Sequence, residues 1–265
     1  MKKLDSLIHW FDSKGPVMIA LSGGVDSALV AYAAYQKLQN LAMAVTADYK
    51  TLSQEELESA KNICKEIGIR QTVISYDELE NAKFVQNDKK RCFYCRTELA
   101  GHLLELAKKN NIKTIVDGTN LSDLGDYRPG IAALHENGIK SPLAELEFSK
   151  NDVRQQAKMA GLSIYDRPSN SCLASRIPWG RRVTAERLLR IELGETLVKN
   201  AVDAKQIRVR DIDGVAKIEV DYETVKKISK QIINQLDSQL RLIGFKSVII
   251  DPQGYSPGKI NVIVN

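Results

Sequence analysis

Eight residues, Ala20-Leu21-Ser22-Gly23-Gly24-Val25-Asp26-Ser27, constrain this chain of 265 residues more than any other stretch. They follow an apolar run, Val17 to Leu21, that reads as a buried strand. They precede a segment with apolar residues at Ala28, Leu29, Ala31, Tyr32 and Tyr35, which reads as helix. A strand, a glycine-rich turn and a helix start in one line are the first crossover of an α/β sheet. The two glycines let a ligand approach the backbone with no Cβ in the way, and the first-turn N–H groups with the helix dipole favour an anion. A turn capped by Asp26 and Ser27 without any ligand is the simpler reading, and its place at the strand-to-helix crossover weighs against it.

No lysine sits in this loop, which excludes the Walker A pattern. The run Ser22-Gly23-Gly24-Val25-Asp26-Ser27 resembles the PP-loop of the ATP pyrophosphatase superfamily, whose members split ATP between the α and β phosphates and attach AMP to a substrate oxygen. In such a loop Ser22 and Ser27 would donate to pyrophosphate oxygens, while Asp26 would hold the Mg²⁺ that neutralises them.

The rest of the first 165 residues continues the α/β alternation. An amphipathic helix with Leu4, Leu7, Ile8 and Phe11 on one side is expected before Gly15-Pro16, capping the sheet. Strands are expected at Leu41 to Thr46, Gln71 to Tyr76 and Lys113 to Val116. The intervening helices are read from about Leu52 to Ile67 and from Arg91 to about Asn110, with a further helix from Ser149 to Met159. Asp48 and Asp117-Gly118-Thr119-Asn120 follow strand ends, where open α/β sheets contact ligands, so ATP should lie there. Ser149 is a candidate N-cap and Gly161 a C-cap. The fold class is α/β, a doubly wound parallel sheet, followed by a smaller α+β domain.

That second domain is read as helix (Thr184 to Val198), strand (Gln206 to Asp211), an Asp213-Gly214 turn, strand (Val215 to Val220), helix (Tyr222 to Leu242) and strand (Ser247 to Ile250). The expected domains are 1–165, an active-site loop or linker at 166–182, and 183–265. In the first strand of the second domain Arg208 and Arg210 alternate with Ile207 and Val209. Both guanidiniums then share one face, either as a polar outer face or as a paired clamp on a phosphate.

Charge and cysteines sharpen the picture. The net charge of +5 lies wholly in the residues from Asp166 onward, which hold 17 Lys and Arg against 12 Asp and Glu. That excess suits an anionic ligand, although such runs also occur on solvated faces. Of the four cysteines, Cys64 falls on the apolar face of a helix and reads as core. Cys92 and Cys95 form a C-x-x-C at a helix start beside Arg91 and Arg96, a setting that favours thiolates and metal. They do not by themselves close a zinc site, for which His102, Cys64 and Cys172 are the other conceivable ligands. Cys172 lies in Asp166-Arg167-Pro168-Ser169-Asn170-Ser171-Cys172-Leu173-Ala174-Ser175-Arg176, a loop by its prolines and serines, and is the best candidate for a reactive thiol. No secretory apolar core follows Met1, and no run approaches 18 apolar residues, so a cytoplasmic, reducing compartment without membrane contact is expected.

The PP-loop, Asp117-Gly118-Thr119-Asn120, the Asp126 to Gly130 loop, Pro168 to Arg176, Ile207 to Arg210 and Gly254-Tyr255 with Gly258 together resemble the LarE family. Members of that family are pyridinium-3,5-biscarboxylic acid mononucleotide sulfurtransferases that act on the way to the nickel-pincer cofactor of lactate racemase. The resemblance implies that ATP and Mg²⁺ activate the carboxylates of a pyridinium mononucleotide by adenylation. It implies nucleotide binding by Ser22, Gly23, Gly24, Asp26, Ser27, Asp48, Gly118 and Thr119. It puts Cys172 at the sulfur-transferring position, with Ser175 and Arg176 beside the substrate and Arg208 and Arg210 on its phosphate. Family members with a C-x-x-C are thought to join it to the loop cysteine around a [4Fe–4S] cluster, here Cys92, Cys95 and Cys172, whose unique iron carries an external sulfide. In the other branch the loop cysteine is sacrificed and left as dehydroalanine. The resemblance further implies a homo-oligomer and no nucleic-acid partner.

Three other readings stay open at this level. A PP-loop tRNA thiolase would use the basic C-terminal third as an RNA surface, against which stands an aromatic content of 6% and no recognisable RNA-binding module. An ammonia-dependent synthetase leaves the cysteine loop unexplained. A non-enzymatic nucleotide-binding module is excluded if ATP is consumed to pyrophosphate.

Overall fold

The computed structural model describes residues 2–125 and 128–256, so Asp126, Tyr127 and Gly258 of the motifs above lie outside the described residues. In chain order the elements are α1 (Lys2–Trp10), β1 (Val17–Ala20), α2 (Val25–Leu38), β2 (Ala42–Asp48), α3 (Gln54–Ile67), β3 (Arg70–Ser75), α4 (Ala82–Val85), α5 (Arg91–Lys109), β4 (Thr114–Val116) and α6 (Leu121–Leu124). There follow α7 (Pro129–Glu136), α8 (Pro142–Glu145), α9 (Lys150–Met159), α10 (Ala185–Ala201), β5 (Ile207–Ile212), β6 (Val215–Val220), α11 (Tyr222–Val225), α12 (Lys230–Leu242) and β7 (Ser247–Ile250). Two compact units result: residues 1–78 with 90–170, and residues 79–89 with 171–265.

The first unit is a parallel four-stranded sheet in the order β3-β2-β1-β4. Period-two alternation distributes its apolar side chains to both faces. Val17, Ile19, Ala42 and Ala44 join α1, α2, α3 and α9 in one core. Met18, Met43, Val45 and Ile115 join Leu99 and Leu103 of α5 and Leu134 of α7 in the other. The doubly wound fold is thus a consequence of strands that are apolar on both sides. Because β2 and β3 extend the sheet on one side of β1 and β4 on the other, the strand order reverses between β1 and β4, and the carboxyl ends of those two strands form the switch-point crevice.

Local chemistry fixes the helices. Ser53 caps α3 by accepting from Glu56 N, and Gly68 ends it at φ +83°, a left-handed conformation that glycine adopts without strain. Ser149 and Asp152 form the reciprocal cap of α9, as expected from Ser149, and Gly161 follows its end at φ +78°. Helix α1 is shorter than the first fifteen residues, yet Leu7 and Phe11 are wholly buried as its apolar face requires. The segments between β4 and α9 read as loops in sequence. They contain α6, α7 and α8, each too short to display a 3.6-residue period, and α7 and α8 begin on Pro129 and Pro142.

The second unit carries a three-stranded sheet, β5-β6-β7, antiparallel between β5 and β6 and parallel between β6 and β7. Asp213 and Gly214, both at positive φ, make the hairpin. Val209, Ala216, Ile218 and Val220 pack with Val198 of α10 and Leu236 and Leu240 of α12. The single helix expected from Tyr222 to Leu242 is instead two, because Ser229 takes an extended conformation (ψ 159°) and its hydroxyl caps α12 at Ile232 N. Among the described residues no helix is long and apolar enough to cross a membrane.

Candidate functional site

The PP-loop lies at the end of β1, where Gly24 opens α2 in an extended conformation without a side-chain cap. Its two serines meet: Ser22 Oγ and Ser27 Oγ are 3.2 Å apart, Ser22 N donates to Ser27 Oγ at 3.2 Å, and Ser27 Oγ donates to Gly24 O at 3.1 Å. Gly23 adopts φ +84°, and a Cβ there would stand 2.5 Å from the Glu56 carbonyl of α3. Only glycine fits.

The β4 end approaches from the other side of the switch point. A Cβ on Gly118 would lie 2.5 Å from Ser27 N and 2.8 Å from Ser27 Cα, so the strand end rests directly on the α2 start. The loop after β4 is held by Asp117: its Oδ1 accepts from Thr119 N (3.1 Å) and Ser141 Oγ (2.7 Å), and its Oδ2 from Thr119 Oγ1 (2.7 Å). Gly118→Ala therefore forces backbone apart. We expect it to lower stability by about 1–3 kcal/mol and to abolish nucleotide binding, read by thermal unfolding with and without Mg·ATP. An unchanged ligand-induced shift would contradict this packing.

Asn120 ends the polar run that follows β4. Its wholly buried side chain donates from Nδ2 to Asp26 Oδ1 at 2.9 Å across 94 residues of chain, a contact without local sequence signal. Burial raises the Asp26 pKa, opposed by the Asn120 bond and reinforced by the nearby Asp123 carboxylate. A carboxylate held in a part-buried setting is a suitable ligand for Mg²⁺, whose charge would offset that burial. Asp48 ends β2, and the next turn is fastened by wholly buried Glu78, which accepts from Lys50 N (3.0 Å) and Thr51 N (2.7 Å). Thus Ser22, Gly23, Gly24, Asp26, Ser27, Gly118 and Thr119 come together, with Asp48 at the neighbouring strand end.

Cys92 and Cys95 lie in the first two turns of α5, with Cys92 exposed and Cys95 half-buried. Arg91 Nη2 stands 3.9 Å from Cys92 Sγ, and Gly130 of α7 packs so closely that a Cβ would lie 3.1 Å from the Cys92 carbonyl. Cys64 is core as expected, and burial pushes its thiol up to about 12. His102 stacks on Tyr76 with centroids 4.4 Å apart, which makes it part of the α5 packing. Among the described residues no three His, Cys, Asp or Glu side chains are grouped so as to hold a metal.

In the second unit the loop bearing Cys172 is built around a guanidinium. Arg176 is wholly buried and pairs in fork geometry with Glu195 of α10, Nε to Oε1 at 2.8 Å and Nη2 to Oε2 at 3.0 Å. Its Nη1 donates to Ser171 O (2.5 Å), Cys172 O (3.1 Å), Ser171 Oγ (3.0 Å) and Ser175 Oγ (3.0 Å). Cys172 itself is half-buried. Arg176 is therefore the loop's internal scaffold, and Glu195, which the sequence did not single out, anchors it while also accepting from Val209 N at 3.1 Å. Removing either partner leaves a buried charge unpaired. We expect Arg176→Ala and Glu195→Ala each to cost about 3–5 kcal/mol in urea unfolding, with the double variant little worse than either single one. Losses below about 1 kcal/mol would contradict the scaffold role.

Arg208 and Arg210 share one face of β5, but their surroundings differ. Arg210 donates from Nε and Nη2 to Glu219 Oε2 at 3.0 and 2.8 Å, and from Nη1 to Ser175 O at 3.0 Å. Arg208 donates to Ile207 O at 2.6 Å and stacks over the Tyr255 ring at 5.4 Å. Burial, then the nearby Arg176 charge, lower its pKa to about 10. A buried guanidinium in that field is a ready partner for an anion. Gly254, at φ +68°, abuts the Val220 carbonyl, and Tyr255 N donates to it at 2.8 Å, which explains the pair of residues in that motif.

A glycine loop at a helix start, met at the switch point of a parallel sheet by an Asp-Asn pair, defines a PP-loop nucleotide-binding protein. Comparison with known proteins agrees: the family "Queuosine biosynthesis protein QueC" matches residues 16–90. An uncharacterized protein of Synechocystis sp. is 38% identical over 99% of this chain and 98% of its own. An uncharacterized protein of Methanocaldococcus jannaschii is 31% identical over 96% of both chains. The pyridinium-3,5-bisthiocarboxylic acid mononucleotide synthase of Lactiplantibacillus plantarum is 28% identical over 92% of this chain and 88% of its own. The chain belongs to the LarE family of the PP-loop superfamily, and is an ATP-using enzyme.

Proposed function

We propose that this protein activates the two carboxylates of pyridinium-3,5-biscarboxylic acid mononucleotide with ATP and replaces a carboxylate oxygen by sulfur. The reading is supported by the full-length similarity to the Lactiplantibacillus plantarum synthase and carried by one observation: the half-buried Cys172 on a loop pinned by the wholly buried Arg176. A loop thiol held by so many bonds to its backbone neighbours is built for chemistry at a fixed place.

A carboxylate resists attack by sulfur until its oxygen becomes a leaving group. In the proposed first step that oxygen attacks the α-phosphorus of ATP and displaces pyrophosphate, giving an acyl adenylate. Ser22, Ser27 and the α2 N–H groups hold the departing pyrophosphate, and Asp26 holds the Mg²⁺ that shares its charge. The sulfur nucleophile then attacks the acyl carbon and expels AMP. Arg208 takes the substrate's phosphate, while Arg210, fixed on Glu219, holds the Ser175 carbonyl. Arg208→Ala is expected to raise the substrate KM about 10- to 100-fold with little change in kcat, the signature of lost ground-state binding. A fall in kcat at constant KM would remove Arg208 from this role.

For the sulfur source, donor chemistry supports a [4Fe–4S] cluster on Cys92, Cys95 and Cys172, three soft thiols and one short of four, although no three metal-ligating side chains are grouped among the described residues. Such a cluster would supply an iron free of protein thiolate at which external sulfide binds. A cytoplasmic, reducing setting would keep these thiols available, and a homo-oligomer without nucleic acid is the assembly proposed. The test is iron and acid-labile sulfide per chain after anaerobic purification. Close to four of each supports the cluster. Iron near background with Cys172 converted to dehydroalanine after one turnover would make Cys172 itself the donor.

A further inference from the structure

Arg167 precedes Cys172 by five residues, yet its guanidinium reaches the PP-loop within the first unit. Nη1 donates to Gly23 O at 3.2 Å, and Nη2 pairs with Glu56 at 2.8 Å and Glu55 at 3.5 Å. Asn170 Nδ2 donates to the same Glu56 Oε1 at 3.2 Å, and Arg154 Nη2 donates to the Arg167 carbonyl at 2.9 Å. Ser59, also on α3, donates to Gly23 O at 3.0 Å. Glu56, in the first turn of α3, is 8% exposed and its carbonyl lies against Gly23. One buried carboxylate therefore joins the nucleotide loop to the chain segment 167–170, and a single residue, Ser171, separates that segment from Cys172.

We propose that Glu56 and Arg167 are positioning residues that couple occupancy of the PP-loop to the order of the Cys172 segment. Phosphate bound by the loop's amides fixes the peptide that carries the Gly23 carbonyl. That carbonyl is a ligand of Arg167, whose charge-assisted bond to Glu56 is shared with Asn170. The segment leading into Cys172 then loses freedom when nucleotide binds, and the thiol is held for attack only while nucleotide phosphate occupies the loop. This inference rests on the function proposed above, and concerns how its two halves are timed.

Hydrogen–deuterium exchange of the full chain, with and without Mg²⁺ and the uncleavable α,β-methylene analogue of ATP, tests it. In the wild-type protein we expect nucleotide to slow exchange about threefold or more both in the loop 22–27 and in 168–175. In Glu56→Gln and Arg167→Lys the protection of 22–27 persists while that of 168–175 disappears, and product formation falls about tenfold. Asn170→Ala, at an exposed position where folding is not at risk, shows the same separation in weaker form. Undiminished protection of 168–175 in the variants overturns the coupling, as does its absence in a wild-type protein whose loop is protected. If the loop of the wild-type protein shows no protection, the nucleotide reading itself fails.

Discussion

Replacing Cys172 by alanine stops sulfur transfer and spares the ATP half-reaction. Product formation is expected to fall at least about 10³-fold, since in the proposed reaction Cys172 supplies the nucleophile or the ligand that carries its sulfur. Substrate-dependent exchange of pyrophosphate into ATP should stay within a few-fold of wild type, because the PP-loop, Asp26 and Asn120 lie in the other compact unit. Cys64→Ala, deep in the apolar core, tests the assignment from the opposite side. Its thiol, pushed to about 12 by burial, is no nucleophile at neutral pH, so that variant should lose some stability and no activity. Thiolation by the Cys172 variant at more than a few per cent of the normal rate would dismiss Cys172.

Neutralising Asp26 produces the reverse pattern. Asp26→Asn keeps the shape and removes the charge that would bind Mg²⁺, and adenylation should drop about 10²–10³-fold. Stability should move the other way. Burial raises the Asp26 pKa above its unfolded value, so ionising the carboxylate costs the folded state more than the unfolded one, and the charged form disfavours folding. Asparagine removes that cost, and the Tm of the variant without nucleotide should equal or exceed that of wild type. A lower Tm with normal adenylation would show that Asp26 is structural. Asn120→Ala should give a milder loss of activity through the freed Asp26 carboxylate.

The nucleotide half of this site was largely legible in the sequence because its determinants are local. Strand, glycine turn and helix start follow one another from Val17 to Ser27, and Ser149 announces α9 three residues ahead of Asp152. The long-range partners were not legible. Asn120 meets Asp26, Glu195 meets Arg176 and Glu219 meets Arg210 through folding alone, and nothing in spacing marks one glutamate of a helix or strand above its neighbours. The family resemblance puts Arg176 beside the substrate and gives Arg208 and Arg210 one role. In the structure Arg176 donates into its own loop and Arg210 to Glu219, contacts that only side-chain geometry reveals. Residues 79–89 belong with the second unit although the chain returns at Lys90 to the first, with Asn87 Nδ2 donating to the carbonyls of Pro178 and Arg181 at 2.8 Å. A polar stretch offers no periodicity from which that excursion could be foreseen.

The most direct test of the account is the mass of the small-molecule product. Anaerobically prepared protein is incubated with Mg·ATP, sulfide and pyridinium-3,5-biscarboxylic acid mononucleotide, and the mixture is resolved by mass spectrometry. The account expects AMP and pyrophosphate to appear together with the mono- and dithiocarboxylate, each heavier by the replacement of oxygen with sulfur. ATP consumed with the pyridinium carboxylates unchanged in mass, or no ATP consumed in their presence, would contradict it.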